Sequence, residues 1–184
     1  MTTLSTPRTI RRSTDLDASH DLVWAAVRSP LAFRFVTRGL LDWRPLRGRV
    51  EPWRDGEEAT GWLLLGGVLP FSRHRIRVAE IDHRNRVLRS DESGGLIRSW
   101  RHDIHVEPID GGRTHYTDVI TIDAGPLTLA VAAFAWLFYG ERQRRWRLLA
   151  PVLSGVDRSR HAAVEATSGT PVDVATGSDS ARAS

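Results

Sequence analysis

At 184 residues, with 41% hydrophobic and 26% charged, the chain has the size and composition of one ordinary globular domain, far from the apolar-poor composition that prevents collapse. The absence of cysteine excludes disulfides, thiolate metal sites and cysteine nucleophiles. All 26 basic residues are arginine, so a net charge of only +4 yields a pI of about 10.7 that overstates the basicity, since a guanidinium keeps its proton below roughly pH 12.

Met1 to Arg12 contains no apolar run of signal-peptide length, and the longest apolar stretch, Leu127 to Tyr139, falls short of the roughly 20 residues a bilayer requires. A cytoplasmic protein with no membrane span is therefore expected. Residues 1–7 read as a flexible N-terminus. Arg8 to Asp17 alternates around Ile10 and Leu16 as a first strand. Ser19 and Asp21 then supply a cap and a first-turn acid for a helix over His20 to Arg28. Ser29-Pro30 opens a second short helix to Arg38, with Gly39 where a left-handed C-terminal residue is needed.

From Trp43 to Ile122 the pattern changes to short runs rich in Val, Ile, Leu and Trp. Turn signals stand at Asp55-Gly56, Leu69-Pro70, Asp82 to Asn85, Gly94-Gly95 and Asp110 to Gly112. The spacing predicts six strands at 43–53, 58–69, 72–81, 86–93, 97–107 and 113–122, joined by loops too short for crossover helices, hence antiparallel. After Ala124-Gly125-Pro126 the period turns helical. Leu127, Val131, Phe134, Phe138, Trp146 and Leu149 form one stripe, and Pro151 is expected to end or kink the helix. Residues 154–184, poor in large apolar side chains, read as a disordered tail, leaving 8–153 as the folded domain.

This order of one strand, two short helices, six meandering strands and a long C-terminal helix resembles the helix-grip fold of the START-like (SRPBCC) superfamily. The strings Asp21-Leu22-Val23-Trp24, Trp100-Arg101-His102, Gly112 to Asp118, Phe138-Tyr139 and Arg142-Gln143 are similar to its polyketide cyclase-like and small ligand-binding branches. The resemblance implies an α+β fold in which a seven-stranded antiparallel sheet wraps the C-terminal helix around an internal cavity. Members of the superfamily carry lipids, hold hormones or steer polyketide cyclisation, so the fold alone does not give the reaction.

On the sixth strand Trp100, His102, Ile104 and Val106 share the inward face, and on the seventh Tyr116, Asp118, Ile120 and Ile122 do. Any register that keeps both apolar sets together puts His102 opposite or diagonal to Asp118. Such a pair either satisfies its own buried polarity or has Asp118 orient His102 as a general acid/base. His74 and Glu92 fall on the apolar phases of their strands and join the expected lining. Trp62, Trp100, Tyr116, Phe134 and Phe138 supply aromatic area.

His102 and His105 spell HxxH, but three residues apart on a strand they face opposite ways, so no metal is expected. The chain holds no G-x-S-x-G, Walker or G-x-G-x-x-G signature, and no cofactor is expected. The run Arg142 to Arg147, placed at the end of the long helix, complements its dipole, although an Arg at the cavity mouth could hold an acidic headgroup; no nucleic-acid partner is expected. Three functions remain open: binding of a small hydrophobic or aromatic molecule, a polyketide cyclase or aromatase-like enzyme using His102 and Asp118, and a non-catalytic interaction module.

Overall fold

The computed structural model describes residues 6–168. The chain forms β1 (Arg8–Leu16), α1 (His20–Val27), α2 (Pro30–Thr37), β2 (Leu41–Trp43), β3 (Glu58–Leu65), β4 (Leu69–Asp82), β5 (Val87–Gly94), β6 (Ile97–Ile109), β7 (Arg113–Asp123) and α3 (Thr128–Ser168). The seven strands make one antiparallel sheet in the order β1-β7-β6-β5-β4-β3-β2, and α3 packs along β1 and β7. Apart from β1, which pairs with β7 at the far edge, sequence neighbours are sheet neighbours, as short connections require.

Local chemistry accounts for most element boundaries. The Ser19 hydroxyl accepts the Leu22 amide at 3.4 Å to cap α1, and Pro30 opens α2, where Ser29 makes no side-chain cap bond. The strand expected at 43–53 is not formed beyond Trp43, because Pro45 and Pro52 lack amide donors and Gly48 turns with φ 77°. A short 3₁₀ turn at Arg44–Leu46 lies over β3 instead, admitted by Gly61: a Cβ there would sit 2.3 Å from Pro45 Cγ. The turn expected at Leu69-Pro70 is made earlier by Gly66 and Gly67, both at positive φ, and Pro70 lies within β4 beside a bulge at Leu63/Leu64.

The largest departure is α3. Its 41 residues pass through Pro151 and continue to Ser168, about 60 Å at 1.5 Å per residue. Residues 154–168, read from composition as tail, are therefore helical; 169–184 lie outside the described residues, as do 1–5. The run Arg142 to Arg147 consequently lies near the middle of α3, which removes the dipole account of it. No helix among the described residues is long and apolar enough to cross a membrane.

The core falls into two apolar clusters. One joins α1, α2 and the middle of α3 to the sheet through Leu16, Trp24, Trp43, Tyr116 and Trp146. The other packs Trp100, Ile120 and Ile122 against Ala135, Phe138 and Tyr139.

Candidate functional site

Between the concave sheet face and α3 lies a cavity of about 350 Å³. Its wall is mostly apolar, from Phe33 on α2, Trp43, Leu63, Ile76, Ile97, Trp100, Val131, Phe134 and Phe138, while His74, Glu92, His102, Tyr139 and Arg142 bring polarity to it.

The sheet register places these groups. Ile76 faces Glu92 across β4–β5, Glu92 faces Trp100 and Ser90 faces His102 across β5–β6, and His102 faces Ile120 across β6–β7. Asp118, two residues along from Ile120, is thus diagonal to His102, and His102 Nε2 donates to its Oδ1 at 2.8 Å. Asp118 also accepts the Tyr116 hydroxyl at 2.8 Å and the Gln143 side-chain amide of α3 at 3.3 Å. With Nε2 as donor, neutral His102 carries its acceptor on Nδ1. A second pair lies on the neighbouring strands: His74 Nε2 meets Glu92 Oε2 at 3.1 Å, and Ser90 donates to Glu92 Oε1 at 3.0 Å. The Trp43 indole donates to the His74 carbonyl at 3.3 Å, so β2 braces this part of the wall.

Arg142 crosses between α3 and the sheet. Its guanidinium is 5.3 Å from the Tyr139 ring centroid and 6.0 Å from that of Phe33, and its Nη2 donates to the Tyr116 oxygen at 3.4 Å. Its Nε and the Nδ1 of His74 are buried without a hydrogen-bond partner among the described residues.

Burial acts to raise the Asp118 pKa, but the Arg142 charge and the bonds from His102 and Tyr116 outweigh it and hold the carboxyl below its usual range. Glu92 behaves alike: burial opposes, and the bond and charge of His74, helped by His102 and Ser90, prevail. Burial pushes the phenols of Tyr116 and Tyr139 well up, so both remain protonated donors. The buried Asp118 carboxylate, the part-buried Glu92 carboxylate and the buried Arg142 guanidinium thus stand among aromatics, an arrangement able to orient a carbonyl, hydroxyl or acidic group.

Of the residues predicted from sequence, His74, Glu92, Trp100, His102, Phe134 and Phe138 line the cavity. Tyr116 and Asp118 do not; fully buried, they stand behind His102 and Arg142 as support. Trp62 is misassigned: it lies on the outer face opposite Arg73, 45% exposed, because the inward phase of β3 runs through Ala59, Gly61 and Leu63 and Trp62 falls between them. Arg142, Tyr139, Phe33 and Trp43 are additional lining residues. Arg142 carried a usable signal, since it stands four residues from both Phe138 and Trp146 and so interrupts the apolar stripe of α3 at a core position.

The model of the family described as Domain of unknown function (DUF8410) matches residues 47–150, more than half of the chain. The chain belongs to that family. In this DUF8410 protein the match takes in β3 to β7 and the part of α3 that faces the cavity. No curated protein matches the sequence. Among solved structures, norcoclaurine synthase from Thalictrum flavum, in complex with dopamine and hydroxybenzaldehyde, superposes with a TM-score of 0.57 at 13% identity over 78% of this chain and 86% of that chain. Protein CV1439 from Chromobacterium violaceum gives 0.60 at 16% identity over 77% and 96%. TTHA0849 from Thermus thermophilus gives 0.59 at 14% identity over 80% and 99%. At these identities the likeness establishes the fold alone, which is the helix-grip fold.

Proposed function

We propose that the protein binds a small, largely apolar or aromatic molecule in the cavity between sheet and α3, its polar group turned toward His74, Glu92, His102 and Arg142. The observation carrying this reading is the composition of the cavity wall, in which a few buried polar side chains stand among large aromatics. That is the usual construction of a small-molecule site, and the volume is within the range of about 300–1,000 Å³ common to such sites. The norcoclaurine synthase neighbour, solved with dopamine and hydroxybenzaldehyde, lends support by analogy of fold. The lack of cysteine suits a reducing compartment, where we place the protein.

Native mass spectrometry of the purified protein, followed by denaturing extraction, tests this directly. A co-purifying apolar molecule near unit occupancy is expected. An empty protein that also fails to bind apolar fluorescent probes in solution would refute the reading.

A second reading draws on one specific observation, the Asp118 carboxylate holding His102 at the cavity wall. There His102 would move a proton between carbon and oxygen of a reactive polycarbonyl chain, in the manner of a polyketide cyclase. Cyclisation of such a chain accelerated by the wild type but not by His102→Phe would favour it. Equal rates in both would remove it.

A further inference from the structure

The cavity meets solvent where its lining residues are themselves exposed. These are Leu65 and Phe71 on the β3–β4 hairpin, Leu96 in the β5–β6 turn, and Leu127 and Phe134 at the start of α3. Apolar exposure extends outward from that opening. Val68 is 83% exposed, Leu69 61%, Leu96 67% and Leu129 67%.

The three segments abut one another. A Cβ on Gly95 would lie 2.9 Å from Ser72 Cβ, and one on Gly125 would lie 2.9 Å from Arg98 Nη2. Single exposed leucines are unremarkable, whereas a contiguous apolar rim around an opening marks a contact surface.

The charge of these segments identifies the partner. Residues 59–79, 94–102 and 124–140 contain no Asp or Glu, while the first two contain Arg73, Arg75, Arg77, Arg98 and Arg101. Arg75 is paired with Glu58 and Arg101 with Asp91, but Arg73 and Arg98, both exposed and nearest the rim, pair with no carboxylate among the described residues. An apolar ring whose own segments carry no acid, the adjoining Asp123 accepting the Gly125 amide, and which is flanked by unpaired arginines complements an anionic lipid surface, where side chains enter the headgroup region and the guanidiniums meet phosphate.

We propose that the rim of the cavity, formed by the β3–β4 hairpin, the β5–β6 turn and the start of α3, docks on an anionic lipid bilayer. This surface reading stands apart from the ligand reading, because vesicle binding tests the first and probe binding in solution the second.

The experiment is flotation of the full chain with vesicles of phosphatidylcholine alone and with about one-third phosphatidylglycerol added. Binding is expected only to the anionic vesicles, weakening as salt is raised. The Val68→Glu/Leu129→Glu variant alters exposed side chains outside the cavity wall and should lose about tenfold or more in partitioning, as should Arg73→Glu/Arg98→Glu. Val152→Glu/Val156→Glu, also exposed but far along α3, should bind as the wild type does. Circular dichroism confirms that each variant is folded.

Failure of the wild type to float with anionic vesicles overturns the proposal, as does equal flotation of the rim and distal variants. A wild-type dimer that Val68→Glu/Leu129→Glu makes monomeric, without vesicle binding by either, assigns the rim to self-association instead.

Discussion

Replacing Asp118 by Ala removes the acceptor for three buried donors, the His102 ring at 2.8 Å, the Tyr116 hydroxyl at 2.8 Å and the Gln143 amide at 3.3 Å. It also removes the carboxylate that most directly balances the buried charge of Arg142. Each orphaned buried donor costs about 1–3 kcal/mol, and breaking a buried charged network costs about 3–5 kcal/mol. These costs overlap, so the expected loss is about 3–5 kcal/mol of a total of roughly 5–15 kcal/mol. In a domain of this size that lowers Tm by about 6–20 °C. Asp118→Asn keeps one acceptor oxygen and should lose only about 1–3 kcal/mol. Urea unfolding followed by tryptophan fluorescence reports both, since Trp146 packs on Tyr116 at 5.2 Å between ring centroids. The folded-state pKa of Asp118 is depressed, so its ionic contribution is fully present above the ordinary carboxylate pKa and is lost as pH falls through the folded value. The gap between wild type and Asp118→Asn should therefore be widest near neutrality and narrow below about pH 4. An Asp118→Ala protein within about 1 kcal/mol of wild type, or a gap that does not change with pH, would count against the ionised hub.

Val131→Trp, which adds bulk to the cavity wall, should abolish binding of an apolar fluorescent probe while leaving Tm within a few degrees, as read by titration and thermal melt. Gly94→Ala should cost about 2–4 kcal/mol in urea unfolding, because a Cβ there would sit 2.2 Å from the Arg73 carbonyl oxygen and 2.9 Å from His74 Cα. Gly112→Ala, at φ 68° with nothing within 4 Å, should cost only about 1–2 kcal/mol. Pro151→Ala on the exposed side of α3 should raise stability by about 1–3 kcal/mol and increase helical ellipticity; a lower Tm would show that α3 needs the proline at that point.

What was legible in the sequence follows from which signals are local. Alternation on β6 and β7 placed His102 and Asp118 on one face, and hairpin pairing then left few registers, so their contact could be anticipated without coordinates. Trp62 failed because its size reads as core, while the inward phase of β3 runs through Ala59, Gly61 and Leu63 and holds a glycine where Pro45 packs. Residues 154–168 failed for a different reason. The side chains of 154–162 are mostly exposed, and a helix already nucleated by the packed half of α3 runs on through this segment, although composition alone reads as tail. Arg142 was visible as a charge inside an apolar stripe, but placing the run Arg142 to Arg147 at a helix end hid its meaning until the true length of α3 was known.

The position of the polar network within the core bears on whether it serves stability alone. Tyr116 belongs to one apolar cluster and Ile120 to the other, so Asp118 sits on β7 at the junction between them, with His102 and Arg142 reaching to the cavity from either side. A junction filled with apolar side chains of similar volume is commonly as stable as a buried ionic cluster or more so, since desolvation of the charges offsets their attraction. The protein nonetheless keeps an arginine, two histidines and two carboxylates there, with Arg142 Nε and His74 Nδ1 unpaired among the described residues. Buried groups away from the cavity, Trp146 Nε1 and Thr117 Oγ1 among them, also lack a partner among the described residues, so it is their position on the cavity wall that sets Arg142 and His74 apart. Unmatched groups on an aromatic cavity wall suit a molecule that completes them, which is why the proposed ligand's polar group is turned toward His74, Glu92, His102 and Arg142 in our reading.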